Sequence, residues 1–417
     1  MKLAPALKYV AGTLVLILLA DLTAKAQLGP PLGNLSEPIE LQAGEQRYRV
    51  VPVADGLVQP WSIGFLPDAR TMLVSEVEGR LRVIRDGVLA DEPVWEAPLA
   101  IASPDPAANN SRLRALAVHP DFEQNKLIYV SHIKWGDRGS TLVVSRGRFD
   151  GNTLIDVEEI FVADAWETSG NVGGRMLFGS DNTLYITIGD RDRLCCVGYD
   201  DNSLRLKAQD LSSHVGKTLR IRDDGGVPQD NPFVGRDDAK PEIYTYGHRN
   251  GYGLAFHPQT GALWQAEIGP LGGDEINILL PGRNYGWPLV STGRNYTGTH
   301  VSEQPWQRPN MENPQIHWVP SISPSSIVYY TGDRFPSWKG SLFVGALTTR
   351  ELQRLSYGNS SQDERRERLL VPFGLRIRDV AQGPDGLLYV ATELTISGSN
   401  QANGTILRIE PVEPVAD

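Results

Sequence analysis

Short apolar runs of strand length, separated by turns rich in Pro, Asp, Asn and Gly, recur along this chain, and no long helical periodicity interrupts them. Residues 242–288, EIYTYGHRNGYGLAFHPQTGALWQAEIGPLGGDEINILLPGRNYGWP, show the unit at its clearest. An apolar run at 252–257 meets a tight turn at 258–261, a second run follows at 262–267, and a third at 275–280 follows a Gly-Pro loop. Such a pattern predicts antiparallel strands joined by hairpins. Antiparallel neighbours run in opposite directions, so the start of one strand and the end of the next share one edge. Arg249 and Asn250 before the first run, and Gly269, Pro270, Asp274 and Glu275 after the second, are thereby gathered on one rim.

The same pattern returns five more times: WSIGFLPDARTMLVSEVEGRLRVI from Trp61, RALAVHPDFEQNKLIYVSH from Arg114, GGRMLFGSDNTLYITIGD from Gly173, SSIVYYTGDRFPSWKGSLFVGALTTRELQRL from Ser325, and RDVAQGPDGLLYVATE from Arg378. Two units are extended by the later pieces GKTLRI at Gly216 and GTILRI at Gly404. Six units at uneven spacing, each with about four strands, predict an all-β fold, a six-bladed β-propeller. A strand at 48–53 precedes the first unit and is expected to pair into the sixth blade, closing the ring and hiding its edges. A sandwich with irregular loops is the structural alternative. The expected organisation is a signal peptide at 1–26, a lead-in at 27–46, the propeller at 47–411 and a tail at 412–417.

Composition changes this picture in three places. Lys2 and Lys8, the apolar run at 10–20 and the Ala24-Lys25-Ala26 triplet have the layout of a secretory leader cleaved after Ala26. The apolar run is short for a membrane span, so the mature protein is expected to be exported, periplasmic or secreted, without stable membrane insertion. Loss of three lysines and Asp21 with the leader moves the net charge from −10 to −12. A chain so acidic, with no basic tract, is a poor partner for nucleic acid. Cys195 and Cys196, the only cysteines, are adjacent. A bridge between them is strained, and reduced thiols are the alternative.

The rim residues of all units carry the candidate chemistry. Asn110, Asn171, Arg249 with Asn250, and Arg376 with Arg378 stand before first strands; Asp190, Gly269 with Pro270, and Thr348 stand after second strands. Three arginines near one axis point to an anionic ligand, since guanidinium forks pair with carboxylates or phosphates. Pairing of each arginine with a neighbouring acid is the structural alternative. Glu275 and Tyr285, with the Gly269 and Pro270 backbone, offer hard oxygens that suit calcium.

With these residues in hand, GGRMLFGSDNTLYITIGD, the DNPF at 230–233, YGHRNGYGLAF, GPLGGDEINIL, NYGWP and RIRDV with GPDGLLYV resemble the soluble quinoprotein sugar dehydrogenases of the glucose/sorbosone dehydrogenase family, in order from about Gly56 to Ile409. The resemblance implies a six-bladed propeller that binds pyrroloquinoline quinone (PQQ) and calcium and oxidises the anomeric carbon of aldose sugars to lactones. It implies that Arg249, Asn250, Arg376 and Arg378 hold the quinone, that Tyr296 lines its pocket, and that the Gly269 and Pro270 carbonyls bind the activating calcium. Glu275 and Tyr285 match a second, structural calcium site. Asp190 matches the acid that supports the family's proton-accepting histidine.

Departures accompany the match. The histidine position is Asn171, whose amide has no useful basicity; the cofactor-binding Gln position is Asn110, the fifth-blade Lys position is Thr348, and a polar position before Gly269 is Ile268. His132, His300 or Asp190 itself could take over as base, whereas His119, His248 and His257 read as structural. The expectation is an exported PQQ-dependent aldose dehydrogenase with an altered base, monomeric or homodimeric, acting on a small sugar and passing electrons to a carrier the sequence does not name. A propeller that keeps the scaffold and calcium but only binds a sugar or anion is the alternative, and a calcium-dependent hydrolase rests on fold analogy alone.

Overall fold

Six antiparallel sheets stand in a ring in the computed structural model, which describes residues 37–98, 113–168, 170–192, 202–303, 308–357, 364–394 and 401–412. Residues 1–26, Asn110, Cys195 and Cys196 lie outside them. The innermost strands of blades one to six are Pro60–Phe65, Leu113–Val118, Gly173–Phe178, Gly251–Phe256, Pro324–Tyr329 and Arg376–Gln382. Each packs against the next, and the sixth packs against the first, so the units read from the sequence form the expected six-bladed β-propeller.

Local chemistry sets the blades. The hairpin between first and second strands holds a residue of positive φ in every blade: Ala69, Lys126, Asn182, Gly261, Gly340 and Gly386. In blade three the preceding Asp181 Oδ1 accepts from the Thr183 amide at 3.1 Å and its hydroxyl at 2.7 Å, an Asx-type turn that fixes the strand register. His119 and His257 do similar work, their Nδ1 atoms accepting the amides of Asp121 at 2.9 Å and Gln259 at 3.2 Å. Both are structural, on the face opposite the candidate site.

Ring closure follows the expectation and extends it. Gln46–Leu57, longer than the strand expected at 48–53, pairs antiparallel with Gly404–Pro411 of blade six, and Ile39–Ala43 adds a further strand outside it. Tyr48, Val50 and Leu57 are fully buried by this pairing, and the Tyr48 ring meets Trp338 of blade five at 5.7 Å. Burial of such side chains contributes about 1.5–3 kcal/mol each, which joins the two ends of the ring.

One irregularity repeats around the axis. The first residue of each innermost strand faces Glu76, His132, Ile188, Glu267, Ala346 and Glu393 in blades one to six, and within three residues every innermost strand carries a register shift. A β-bulge inserts one residue and re-aims its side chain. Here six bulges encircle the rim. Trp61, Arg114, Tyr252, Ser325 and Arg378 lie within them, and Arg175 of blade three lies across the axis. Its Nε donates to the Tyr252 carbonyl at 2.6 Å, its Nη2 to the Ser325 carbonyl at 3.1 Å, and its Nη1 meets Asp379 at 3.1 Å. Its guanidinium also lies 4.3 Å from the Trp61 ring centre. Beyond it, toward the hairpins, Ile63, Phe65, Leu116, Leu254 and Ile327 line a cavity of about 510 Å³.

Candidate active site

The pairing of Gly173 with Ile188, Gly251 with Glu267 and Arg376 with Glu393 places strand starts beside strand ends, so the rim assembled from the sequence exists. Between blades three and four, Asn171 Nδ2 donates to Asp190 Oδ1 at 2.9 Å, and the Trp287 indole N–H donates to Asp190 Oδ2 at 2.8 Å. The Asp192 amide also donates to Oδ1, at 3.0 Å, and Asn250 Nδ2 reaches Asn171 Oδ1 at 3.3 Å. Asp190 is fully enclosed, while Asn171 above it keeps part of its surface accessible. Burial pushes the Asp190 carboxyl above the usual carboxylate range, and the charge of Arg249 opposes that rise.

Arg249 is held tightly. Its amide donates to Glu267 Oε2 at 2.9 Å, its Nη1 donates to the carbonyls of Ile268 at 2.7 Å and Gly269 at 2.9 Å, and its guanidinium lies 5.5 Å from the Trp287 ring centre. On blade six, Arg376 Nε and Arg378 Nη2 both meet Glu393 Oε1, at 2.9 and 2.6 Å. Two guanidinium groups against one buried carboxylate leave net positive charge. Pairing within the protein therefore accounts for part of the arginine cluster, and the partner acid belongs to the same blade.

The chain that builds this rim and the six-bladed frame beneath it matches the Glucose / Sorbosone dehydrogenase family model over residues 57–408. The chain belongs to that family. Aldose sugar dehydrogenase YliI of Escherichia coli (strain K12) is 35% identical over 376 residues, 89% of this chain and 95% of that protein. The solved apo-form of the soluble aldose sugar dehydrogenase from Escherichia coli superposes with a TM-score of 0.77 at 32% identity, covering 88% of this chain and 100% of its own. The PQQ-bound aldose sugar dehydrogenase of Streptomyces coelicolor gives 0.66 at 25% identity, covering 90% and 98%.

Within this family member, the oxygens considered for metal fall into two groups. The Ile268 and Gly269 carbonyls converge on one positively charged nitrogen of Arg249, a geometry that offers oxygen donors to a cation. Farther out on blade four, Glu267 and Glu275 stand directly opposite each other in register, and Asn277 Nδ2 bridges them at 2.8 and 3.2 Å. Burial, with the Glu267 charge adding to it, pushes Glu275 up to about 8. Asn277 Oδ1 is buried without a hydrogen-bond partner. Two facing carboxylates and an orphaned amide oxygen are hard ligands that a divalent cation would satisfy. The Tyr285 hydroxyl is engaged elsewhere, donating to the Ile278 carbonyl at 2.6 Å and accepting from the Leu280 amide at 2.8 Å, so only its backbone remains for a metal. Among the described residues no three His, Cys, Asp or Glu side chains form a metal cage, so a cation here draws on carbonyl or amide oxygens as well.

The other expected residues are placed less centrally. Thr348 is exposed and its hydroxyl lies 2.7 Å from that of Ser323; Tyr296 is half-buried in a loop beside Asn295; His300 is exposed. His248 is enclosed, stacked on Tyr285 at 4.8 Å with Thr245 Oγ1 2.8 Å from its Nε2, which makes it structural. His132 is buried against Ser145, 2.8 Å from Nε2, and burial lowers its pKa to about 4.

Burial of His132 makes the stability of the fold depend on pH. The unfolded chain protonates this histidine near pH 6.5 and the folded one near 4, so its contribution is present above 6.5 and is lost as pH falls toward 4. The full effect is about 3 kcal/mol. Urea unfolding at pH 4.5 and 7 should show His132→Gln losing much less stability on acidification than the parent; an equal loss would place the sensitivity elsewhere.

Sequence reading passed over Glu76, Glu267 and Glu393, which end the second strands of blades one, four and six, and also Trp287 and Arg114. Aligning the repeats at LVSE, WQAE and YVATE reveals the three glutamates.

Proposed function

We propose that this protein is an exported aldose dehydrogenase that works with PQQ and calcium, and that Asp190, reached through Asn171, takes the place of the usual basic side chain. The observation that carries the reading is the Asn171–Asp190–Trp287 network set beside Arg249 on the same rim. Arg249, Arg376 and Arg378 would hold the quinone's carboxylates, with Asn250 and Tyr296 beside them. Asn110 and Thr348 would complete the cofactor contacts. When bound, the quinone would supply the acceptor for the hydride of the sugar's anomeric carbon, and the Gly269 and Pro270 carbonyls would hold a calcium that supplies polarisation. Glu275, with Glu267 and the Tyr285 backbone, would hold the second calcium.

The chain's own residues then manage the proton. Asp190 Oδ2 accepts one donor, the Trp287 indole, and retains a lone pair. Burial raises its basicity toward the working range of a general base. Asn171 orients the anomeric hydroxyl, or a water bridging to Asp190, by its accessible amide. The leader-like pattern at 1–26 supports export to the periplasm or medium.

A second reading, a propeller that binds sugar or anion without turnover, draws on one specific observation: Asp190 is enclosed and already accepts three hydrogen bonds. Reconstitution separates the two. Apo-protein is mixed with PQQ and calcium, and dye reduction is followed with a panel of aldoses. Turnover with at least one aldose is the expected result; tight quinone uptake without turnover would select the binding reading, and no uptake would remove the cofactor from the account.

A further inference from the structure

Near the axis, an unbalanced charge belongs to Arg114, a residue the proposed chemistry does not use. Arg114 lies in the bulge of blade two, where Leu113 pairs with His132 and Leu116 with Val130, leaving Arg114 and Ala115 opposite Ser131 alone. Ala115 takes the inward, packed position: it is fully buried, and its amide donates to Ser131 Oγ at 3.0 Å. The Arg114 carbonyl is fixed from blade one by the Ser75 hydroxyl at 2.6 Å. Its side chain therefore leaves the strand on the axial side. Gly174 makes room for it, since a Cβ there would come within 3.0 Å of both Cβ and Cγ of Arg114.

Around the guanidinium the charges are of its own sign. Arg378 of blade six and Arg191 of blade three both lie within electrostatic reach, and Tyr252 of blade four is the other group close by. Among the described residues the guanidinium makes no hydrogen bond or ion pair with an acid, and its Nε is buried with no partner. A shielded cation beside like charges costs free energy unless a counter-charge arrives. Thr348 brings no charge, so the cations gathered here come from blades two, three, four and six.

We infer that Arg114 is a ligand-binding residue of this pocket, pairing by its planar fork with a carboxylate of the bound quinone. The inference rests on the PQQ reading above. Apo-protein with calcium is titrated with PQQ by quenching of tryptophan fluorescence, and the thermal midpoint is read with and without ligand, for the parent, Arg114→Gln and Arg114→Lys. Loss of a charged, bidentate contact should weaken binding about 10- to 100-fold in Arg114→Gln, with partial recovery in Arg114→Lys. The apo midpoint of Arg114→Gln should equal or exceed that of the parent, because an unmatched charge has gone. Unchanged affinity, or a lowered apo midpoint with unchanged affinity, would overturn the inference and make Arg114 structural. Should the parent itself take up no PQQ, the cofactor reading falls, and citrate decides Arg114 separately: stabilisation by citrate in the parent that is lost in Arg114→Gln supports a carboxylate site, and equal or absent stabilisation in both refutes it.

Discussion

Asp190→Asn is expected to lower the turnover of aldose oxidation about a thousandfold while quinone affinity stays close to that of the parent. The amide oxygen can keep the contacts made by Asn171 and the Asp192 amide at one position, while the NH2 faces the Trp287 indole and loses only that contact. What disappears is the basic lone pair. A group used only as the proton leaves should reduce kcat and kcat/KM equally, and steady-state kinetics of reconstituted protein reads that split. The paired experiment is Asn171→His, which puts an imidazole at the accessible position over Asp190 and should raise turnover about tenfold or more. If Asp190→Asn keeps its rate, the proton goes elsewhere; if Asn171→His changes nothing, Asn171 does not face the sugar.

Much of this arrangement is legible in the sequence, because strand period and turn chemistry are local. The Asp181-Asn182-Thr183 turn and its counterparts mark each hairpin, and antiparallel geometry alone puts Asn171 near Asp190 and Arg249 near Gly269. The bulges are another matter. A single inserted residue breaks the alternation that tells inward from outward positions, so Arg114 and Arg175 read as members of ordinary strands. Glu393 was hidden for a different reason: at the end of an apolar strand, a lone carboxylate gives no sign of what it pairs with. Its partners, Arg376 and Arg378, become apparent only when Arg376 is set opposite it in register. Trp287 reaches Asp190 from a loop far along the chain, a contact no local pattern encodes.

Arg175→Met is expected to destabilise the propeller by about 3–5 kcal/mol, the usual cost of breaking a buried ion pair from one side. Arg175 is the one described side chain shown bonding to blades four, five and six from blade three, and Asp379, its acid partner, also accepts the Ile63 amide of blade one at 2.7 Å. Removing the guanidinium strands that carboxylate between the rim and the apolar cavity. It also leaves the Tyr252 and Ser325 carbonyls without their donor, so three polar groups lose a partner together. Burial lowers the Arg175 pKa, but the adjacent Asp379 charge favours the protonated guanidinium. Urea unfolding provides the measurement, with Asp379→Leu and the double variant completing a cycle. The double variant should be more stable than Arg175→Met alone, since replacing both charges with apolar groups removes the stranded carboxylate. A loss below about 1 kcal/mol for Arg175→Met would mean that exposed surface pairs, whose strength is of that order, are the right comparison, and that the inner strands hold their ring through apolar packing without this crossing.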